Sequence, residues 1–265
     1  MSELWIVECG LVPYEGARAA QRALEGARRR DEVPDTLLLL EHPPVYTRGR
    51  RSEAAELPMG DSWYEAQGIE VRETDRGGRV TYHGPGQLVA YPVSRLRGAG
   101  SGLEVHGFVR LLEEVSVGAL GDFGVGAGTV KGLTGVWTAG GAAPPAGAGA
   151  ASVAAEVLGG ELRKIGSIGI HVSRGVSTHG LAINVENDLQ PFEWIVPCGI
   201  EGCRMTSVRR ELGGGPGVEG LGRAVAERLA AGLGLEPAAV AAADLARRVE
   251  GLDALARAAV GGALR

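Results

Sequence analysis

A cysteine and a lysine, 34 positions apart, are the residues with the most chemistry to offer. Cys198 stands between Pro197 and Gly199. Neither neighbour continues a helix or a strand, so the sulfur is presented at a sharp corner. A thiolate there is the best nucleophile the side chains provide, whereas a cysteine withdrawn from solvent is a small hydrophobe. Lys164 opens the apolar, glycine-interrupted run KIGSIG. A lysine so placed is either partly desolvated, which lowers its pKa and makes it usable as a base, or a surface lysine at a strand end.

Two further segments carry polar groups beside glycines. In DRGGRVTYHGPGQ, from Asp75 to Gln87, two glycine clusters bracket a short strand. Backbone N–H groups there are free of side-chain bulk, which suits close approach of a substrate carbonyl, although a tight β-hairpin would use glycines in the same way. Arg76, Arg79, Tyr82 and His83 lie in this loop. It is no phosphate-binding loop, because the terminal Gly-Lys-Ser/Thr is missing. In Thr178-His179-Gly180-Leu181-Ala182 a histidine immediately precedes a strand, as a site residue or as a satisfied structural one.

The elements that must position these groups follow from periodicity. Residues 4–9, 36–41, 69–74, 79–82, 87–93, 136–138, 162–172 and 181–185 read as strands, by alternation or as short apolar runs. Residues 14–30 and 103–120 carry apolar side chains near a 3.6 period and read as helices. Beyond Gly213 the chain is alanine-rich, and 218–232 and 238–264 read as two more helices. Consecutive strands in mid-chain predict an α/β protein with a mixed, α+β-like sheet rather than a regular βαβ array. The expected organisation is a catalytic domain over 1–212 and a helical C-terminal segment over 213–265 packed on it. The glycine- and alanine-rich stretch 139–160 cannot pack a defined core and reads as an exposed surface insertion.

Bulk properties narrow the function. A net charge of −5 gives no general attraction for nucleic acid or an anionic membrane. No window approaches ~18 consecutive apolar residues, and the N-terminus has no legible signal peptide, so the expected location is cytoplasmic. Cysteines at 9, 198 and 203 form no even disulfide framework, and the 198/203 pair alone gives thin support for zinc. Cys9 reads as core and Cys203 as a bystander.

Taken in order, RGGRVTYHGPGQ, the lysine of KIGSIG, THGLAINV and the cysteine of PCG resemble the lipoyl(octanoyl) transferase family of lipoate biosynthesis. EHPPVYTRGR from Glu41, GVWT from Gly135, NDLQPFEWIVPCGI and Thr206-Ser207 extend the similarity over 4–208. The resemblance implies a fold like the catalytic domain of biotin and lipoate ligases. It implies transfer of an octanoyl group from acyl carrier protein to a lysine of lipoyl domains, those of 2-oxoacid dehydrogenase subunits and the glycine cleavage H protein. It makes Cys198 the acyl-thioester nucleophile and Lys164 its partner. It gives substrate binding to Arg76, Gly77, Gly78, Arg79, Val80, Thr81, Tyr82 and His83, to Ser167, Ile168 and Gly169, and to Gly180, Leu181 and Ala182. No cofactor is expected, because the donor thioester is already activated and calls for neither ATP nor metal. The 139–160 insertion is longer than such enzymes usually carry, and His171 stands where the family often has arginine or lysine.

The chemistry asks for a partner to the thiol, whose ordinary pKa of ~8.5 leaves it mostly protonated at neutral pH. Lys164 fills that place by resemblance; on the residues alone His83 and His179 compete for it. Backbone N–H groups at Gly77, Gly78 or Ser167–Gly169 are the candidate oxyanion donors. Three other activities remain as alternatives: an ATP-dependent lipoate or biotin ligase, a cysteine hydrolase, and an inactive carrier-protein-binding scaffold.

Overall fold

The computed structural model describes residues 3–96, 102–140, 162–200 and 202–262. The insertion expected at 139–160 lies, apart from its first two residues, outside them. In chain order the elements are β1 (Glu3–Leu11), α1 (Tyr14–Arg29), β2 (Asp35–Glu41), β3 (Val45–Arg48), α2 (Asp61–Ala66), β4 (Glu70–Glu73), β5 (Thr81–His83) and β6 (Gln87–Val93). Then come α3 (Gly102–Asp122), β7 (Gly128–Val130), β8 (Leu133–Thr138), β9 (Arg163–Ser173), β10 (Val176–Asn184) and β11 (Arg204–Met205). The chain closes with α4 (Val208–Leu212), α5 (Gly217–Leu233), β12 (Glu236–Ala239), α6 (Ala242–Arg248) and α7 (Asp253–Gly262).

The main sheet runs β12-β1-β2-β6-β10-β9-β8-β7, with β11 pairing the start of β9. Parallel pairs at the β1 end give way to antiparallel pairs beyond β2, so the sheet is mixed. Alternation along the strands feeds two cores. In β2, Leu37 and Leu39 face one core, and Leu38 and Leu40 face the other. The first is closed by Phe108, Leu112 and Val115 of α3 and by Leu221, Val225 and Leu229 of α5. The second is closed by Ala17, Ala20 and Leu24 of α1 together with Leu245 and Leu255 of α6 and α7. This gives an α/β/α arrangement.

A smaller sheet, β4-β3-β5, packs its own aromatic cluster of Tyr46, Tyr64, Tyr82 and Phe192. The strands on either side of Gly77-Gly78 therefore do not form a hairpin with each other: β4 pairs parallel and β5 antiparallel with the intervening β3, which the sequence pattern did not reveal. The all-helical reading of 238–264 also fails. Glu236–Ala239 extends the main sheet by pairing parallel with β1, and two short helices follow. Alanine in this stretch adopts whichever backbone the neighbouring edge offers, because tertiary pairing overrides propensity. Among the described residues no helix is long and apolar enough to cross a membrane.

Candidate active site

Cys198 lies at the centre of a 3-10 turn, Pro197–Gly199, and its backbone is left-handed, at φ 59° and ψ 16°. A non-glycine residue held in this region costs of order 1 kcal/mol and persists only where its surroundings enforce it. Here its N–H donates to the Val80 carbonyl at 3.0 Å, and the Val196 N–H donates to the Glu56 carbonyl at 3.0 Å. The buried Glu56 carboxylate in turn accepts from the Arg79 guanidinium and from the Val80 N–H. The corner inferred from Pro197 and Gly199 is thus real, and it is pinned to the strand that leads into β5.

Lys164 reaches the same point from the sheet. It is only 2% exposed and so is no surface lysine at a strand end. The β8–β9 register shifts between Val136, opposite Gly166, and Trp137, opposite Lys164. Such a bulge re-aims the side chains beside it. The ammonium comes to 3.1 Å from Cys198 Sγ, donates to the Thr134 carbonyl at 3.1 Å, and lies 5.2 Å from the Trp137 ring centroid. Gly135 makes this possible: at φ 125°, a Cβ there would fall 2.7 Å from Lys164 Cε and 2.7 Å from the Gly166 carbonyl. The GVWT motif therefore houses the lysine, a role the sequence did not disclose.

Burial pushes the Cys198 thiol up, but the positive charge of Lys164 and its hydrogen bond, the charge of Arg76 and the Ser167 hydroxyl outweigh this, and the pKa falls below the ordinary thiol value. The two histidines are engaged elsewhere. His83 Nδ1 donates to Gln87 Oε1 at 2.7 Å, and His179 Nε2 donates to Asp75 Oδ1 at 2.9 Å. Burial holds both rings neutral, lowering the pKa of each; for His83 the neighbouring His42 adds to the effect, while for His179 the Asp75 carboxylate opposes it. His179 is also left-handed, at φ 57°.

A cavity of about 510 Å³ joins these groups. Its walls include Arg76, Gly77, Gly78, Arg79, Thr81 and His83 on one side and Ser167, Ile168, Gly169, Gly180, Leu181 and Ala182 on the other, with Lys164 and Cys198 between. Val80 and Tyr82 do not line it. Strand alternation sends Thr81 and His83 to the cavity and Val80 and Tyr82 into the aromatic cluster of the small sheet. Of the candidate oxyanion donors, the Gly77 N–H is committed to the Ile170 carbonyl at 2.9 Å. Val105 and Val109 of α3 and Leu133 of β8 add apolar wall; for the two valines a helix stripe looks the same whether it faces a core or a cavity.

A hydrogen-bond relay ties the two walls. His83 donates to Gln87, whose amide donates to Asn184 Oδ1 at 2.9 Å; Asn184 donates to the Thr206 carbonyl at 2.9 Å, and the Thr206 N–H donates to the Lys164 carbonyl at 2.9 Å. Gln87, Asn184 and Thr206 all fall in motifs that carried the family resemblance.

Comparisons with known proteins identify the family. The sequence model of the lipoyl protein ligase A/B catalytic domain matches residues 13–230. The octanoyltransferase of Thermobifida fusca (strain YX) is 44% identical over 223 residues, covering 84% of this chain and 85% of its own. That of Roseiflexus sp. (strain RS-1) is 41% identical over 244 residues, covering 92% of each. Among solved structures, a bipartite lipoate protein ligase from Thermoplasma acidophilum superposes with a TM-score of 0.66 at 16% identity, covering 97% of this chain and 91% of the other, a likeness of fold. The chain belongs to the lipoyl protein ligase A/B catalytic-domain family, and it is an acyltransferase.

Proposed function

We propose that the chain transfers an octanoyl group from acyl carrier protein to a lysine of lipoyl domains, including those of 2-oxoacid dehydrogenase subunits and the glycine cleavage H protein, through a thioester on Cys198. The observation that carries this reading is the 3.1 Å contact between Lys164 Nζ and Cys198 Sγ at the wall of a cavity with apolar lining. The octanoyl group itself comes from the relatives, which are octanoyltransferases.

In the first half-reaction the Cys198 thiolate attacks the donor carbonyl. The bond from that carbon to the pantetheine sulfur breaks, and Lys164 gives its proton to the departing sulfur. In the second, the free ε-amine of the acceptor lysine attacks the Cys198 thioester. The carbon–Sγ bond breaks, Cys198 leaves as thiolate, and Lys164 recovers a proton from the attacking nitrogen. The donor thioester supplies the free energy, so no nucleotide enters the scheme. The histidines hold and shape the wall rather than act on the sulfur, each having a ring nitrogen spent on Gln87 or Asp75.

For the oxyanion we assign the Ile168 N–H. Ile170 turns its carbonyl away from β10 towards Gly77, and the period of two gives Ile168 the same outward direction, beyond Gly166, the last β9 partner of β8. The cytoplasm, where carrier protein and acceptors are made, is the proposed location.

Transfer assays with and without nucleotide test the reading. Octanoyl-carrier protein and an apo lipoyl domain should give octanoylated domain without ATP, and free octanoate with ATP should give none. The opposite pattern would identify a ligase, and release of octanoate in place of transfer would identify a hydrolase.

A further inference from the structure

Arg76 is a buried cation without an anion. It is only 9% exposed, lines the cavity, and takes part in no salt bridge among the described residues. Other arginines of this molecule that reach inward meet carboxylates: Arg163 grips Glu211 through two bonds of 3.0 and 2.9 Å, and Arg79 is held by Glu53 and Glu56. The hydrogen bonds of Arg76 all go to neutral oxygens. Its Nη2 donates to the Thr47 carbonyl at 2.6 Å and the Thr47 hydroxyl at 2.7 Å, its Nε to that hydroxyl at 3.3 Å, and its Nη1 to the Gly77 carbonyl at 3.1 Å. Nη1 sits against glycines, since a Cβ on Gly49, Gly78 or Gly169 would lie 2.7, 3.4 or 3.7 Å from it. The chain thus clears space to bring a guanidinium up to the cavity wall and then supplies no counter-charge.

Burying a permanent charge is costly unless something opposite in sign shares its surroundings. Tyr14 from α1, Tyr91 from β6, the neutral rings of His83 and His179, and Cys198 share the cavity wall with it, and Glu56 and the neighbouring Asp75 are the carboxylates of its surroundings. Glu56 is already spent on Arg79 and the Val80 N–H, Asp75 accepts from His179 Nε2, and burial pushes both tyrosine hydroxyls up, keeping them un-ionised. That leaves the sulfur.

We infer that Arg76 is a positioning residue whose fixed charge holds Cys198 as the thiolate, independently of the proton on Lys164. The consequence is mechanistic and rests on Cys198 being the nucleophile. Lys164 gives its proton to the departing pantetheine sulfur in the first half-reaction and recovers one only from the attacking amine in the second, so its charge comes and goes. A guanidinium, which stays charged, is there for the thiolate before the attack and again as Cys198 leaves.

The test reads the ionisation of Cys198 directly, by the pH dependence of iodoacetamide alkylation followed on the Cys198 peptide, which needs no acyl donor or acceptor. Arg76→Met is expected to move the midpoint up by about one pH unit, with about tenfold slower alkylation at neutral pH, and Arg76→Lys to restore most of it. Lys164→Met, with the arginine intact, covers the case in which neither Arg76 variant folds. There the midpoint should stay below the ~8.5 of an ordinary thiol, held down by Arg76 alone. An unchanged profile in folded Arg76→Met, no recovery in Arg76→Lys, or a midpoint in Lys164→Met at or above that ~8.5 would each overturn the inference. If Cys198 carries no acyl group, the transfer scheme falls while the alkylation profile still answers for Arg76.

Discussion

Cys198 and Cys203 sit five residues apart, both half-buried, and the fold gives them opposite chemistry. The Cys203 thiol is pushed up to about 12, chiefly by burial, with Lys164 opposing and Cys198 adding to the rise. At Cys198 burial acts in the same direction, yet the lysine in hydrogen-bond contact, with Arg76 and Ser167 behind it, brings the thiol below its ordinary value. Cys203 packs among apolar side chains of two small clusters, whereas Cys198 is held in a strained left-handed turn that aims it at an ammonium. The comparison teaches that exposure does not set a thiol's ionisation; contact with a cation does, and the backbone accepts strain to obtain it.

The sharpest way to break this contrast is to remove each sulfur. Cys198→Ala should lower octanoyl transfer by about 10⁴-fold or more, measured as octanoylated acceptor per unit time. Lys164→Met should cost about 10²–10⁴-fold, the usual share of an acid–base group. In the parent enzyme the rate should fall as the pH drops through the depressed Cys198 pKa, because the thiolate is lost there, and that limb should move to higher pH in the variant. A pH–rate profile settles the point. Gly135→Ala keeps both reacting groups and displaces one. With φ 125° and the close approach to Lys164 Cε, transfer should fall by about 10²-fold, the scale of a 1 Å misplacement, and the melting temperature should drop as well. At the small end, Cys203→Ser should change transfer by no more than about twofold. A large loss there would dissolve the distinction between the two cysteines.

Much of this frame is legible in the residues. The amphipathic stripe Ala17, Ala20, Leu24 marks α1, and the run TLLLL marks a strand buried on both faces. The sharp corner at Cys198 follows from Pro197 and Gly199. What escapes is set by distant partners. β12 forms from an alanine-rich stretch only because β1 offers an edge, and β3, hidden behind His42-Pro43-Pro44, is needed to see that β4 and β5 do not pair. In the site, Thr134 contributes a carbonyl and Gly135 an absence of side chain, neither of which side-chain chemistry can announce. Val80 and Tyr82 were placed in the lining because a motif does not say which way alternate residues of its strand face.

The central claim is a covalent one, and the direct measurement is the mass of the Cys198 peptide after the enzyme meets octanoyl-carrier protein with no acceptor present. An octanoyl group on Cys198, sensitive to hydroxylamine and discharged on adding apo lipoyl domain, is the predicted result. An unmodified Cys198 in an enzyme that still transfers, or an acyl group found on Cys203 or Lys164 instead, would contradict the account.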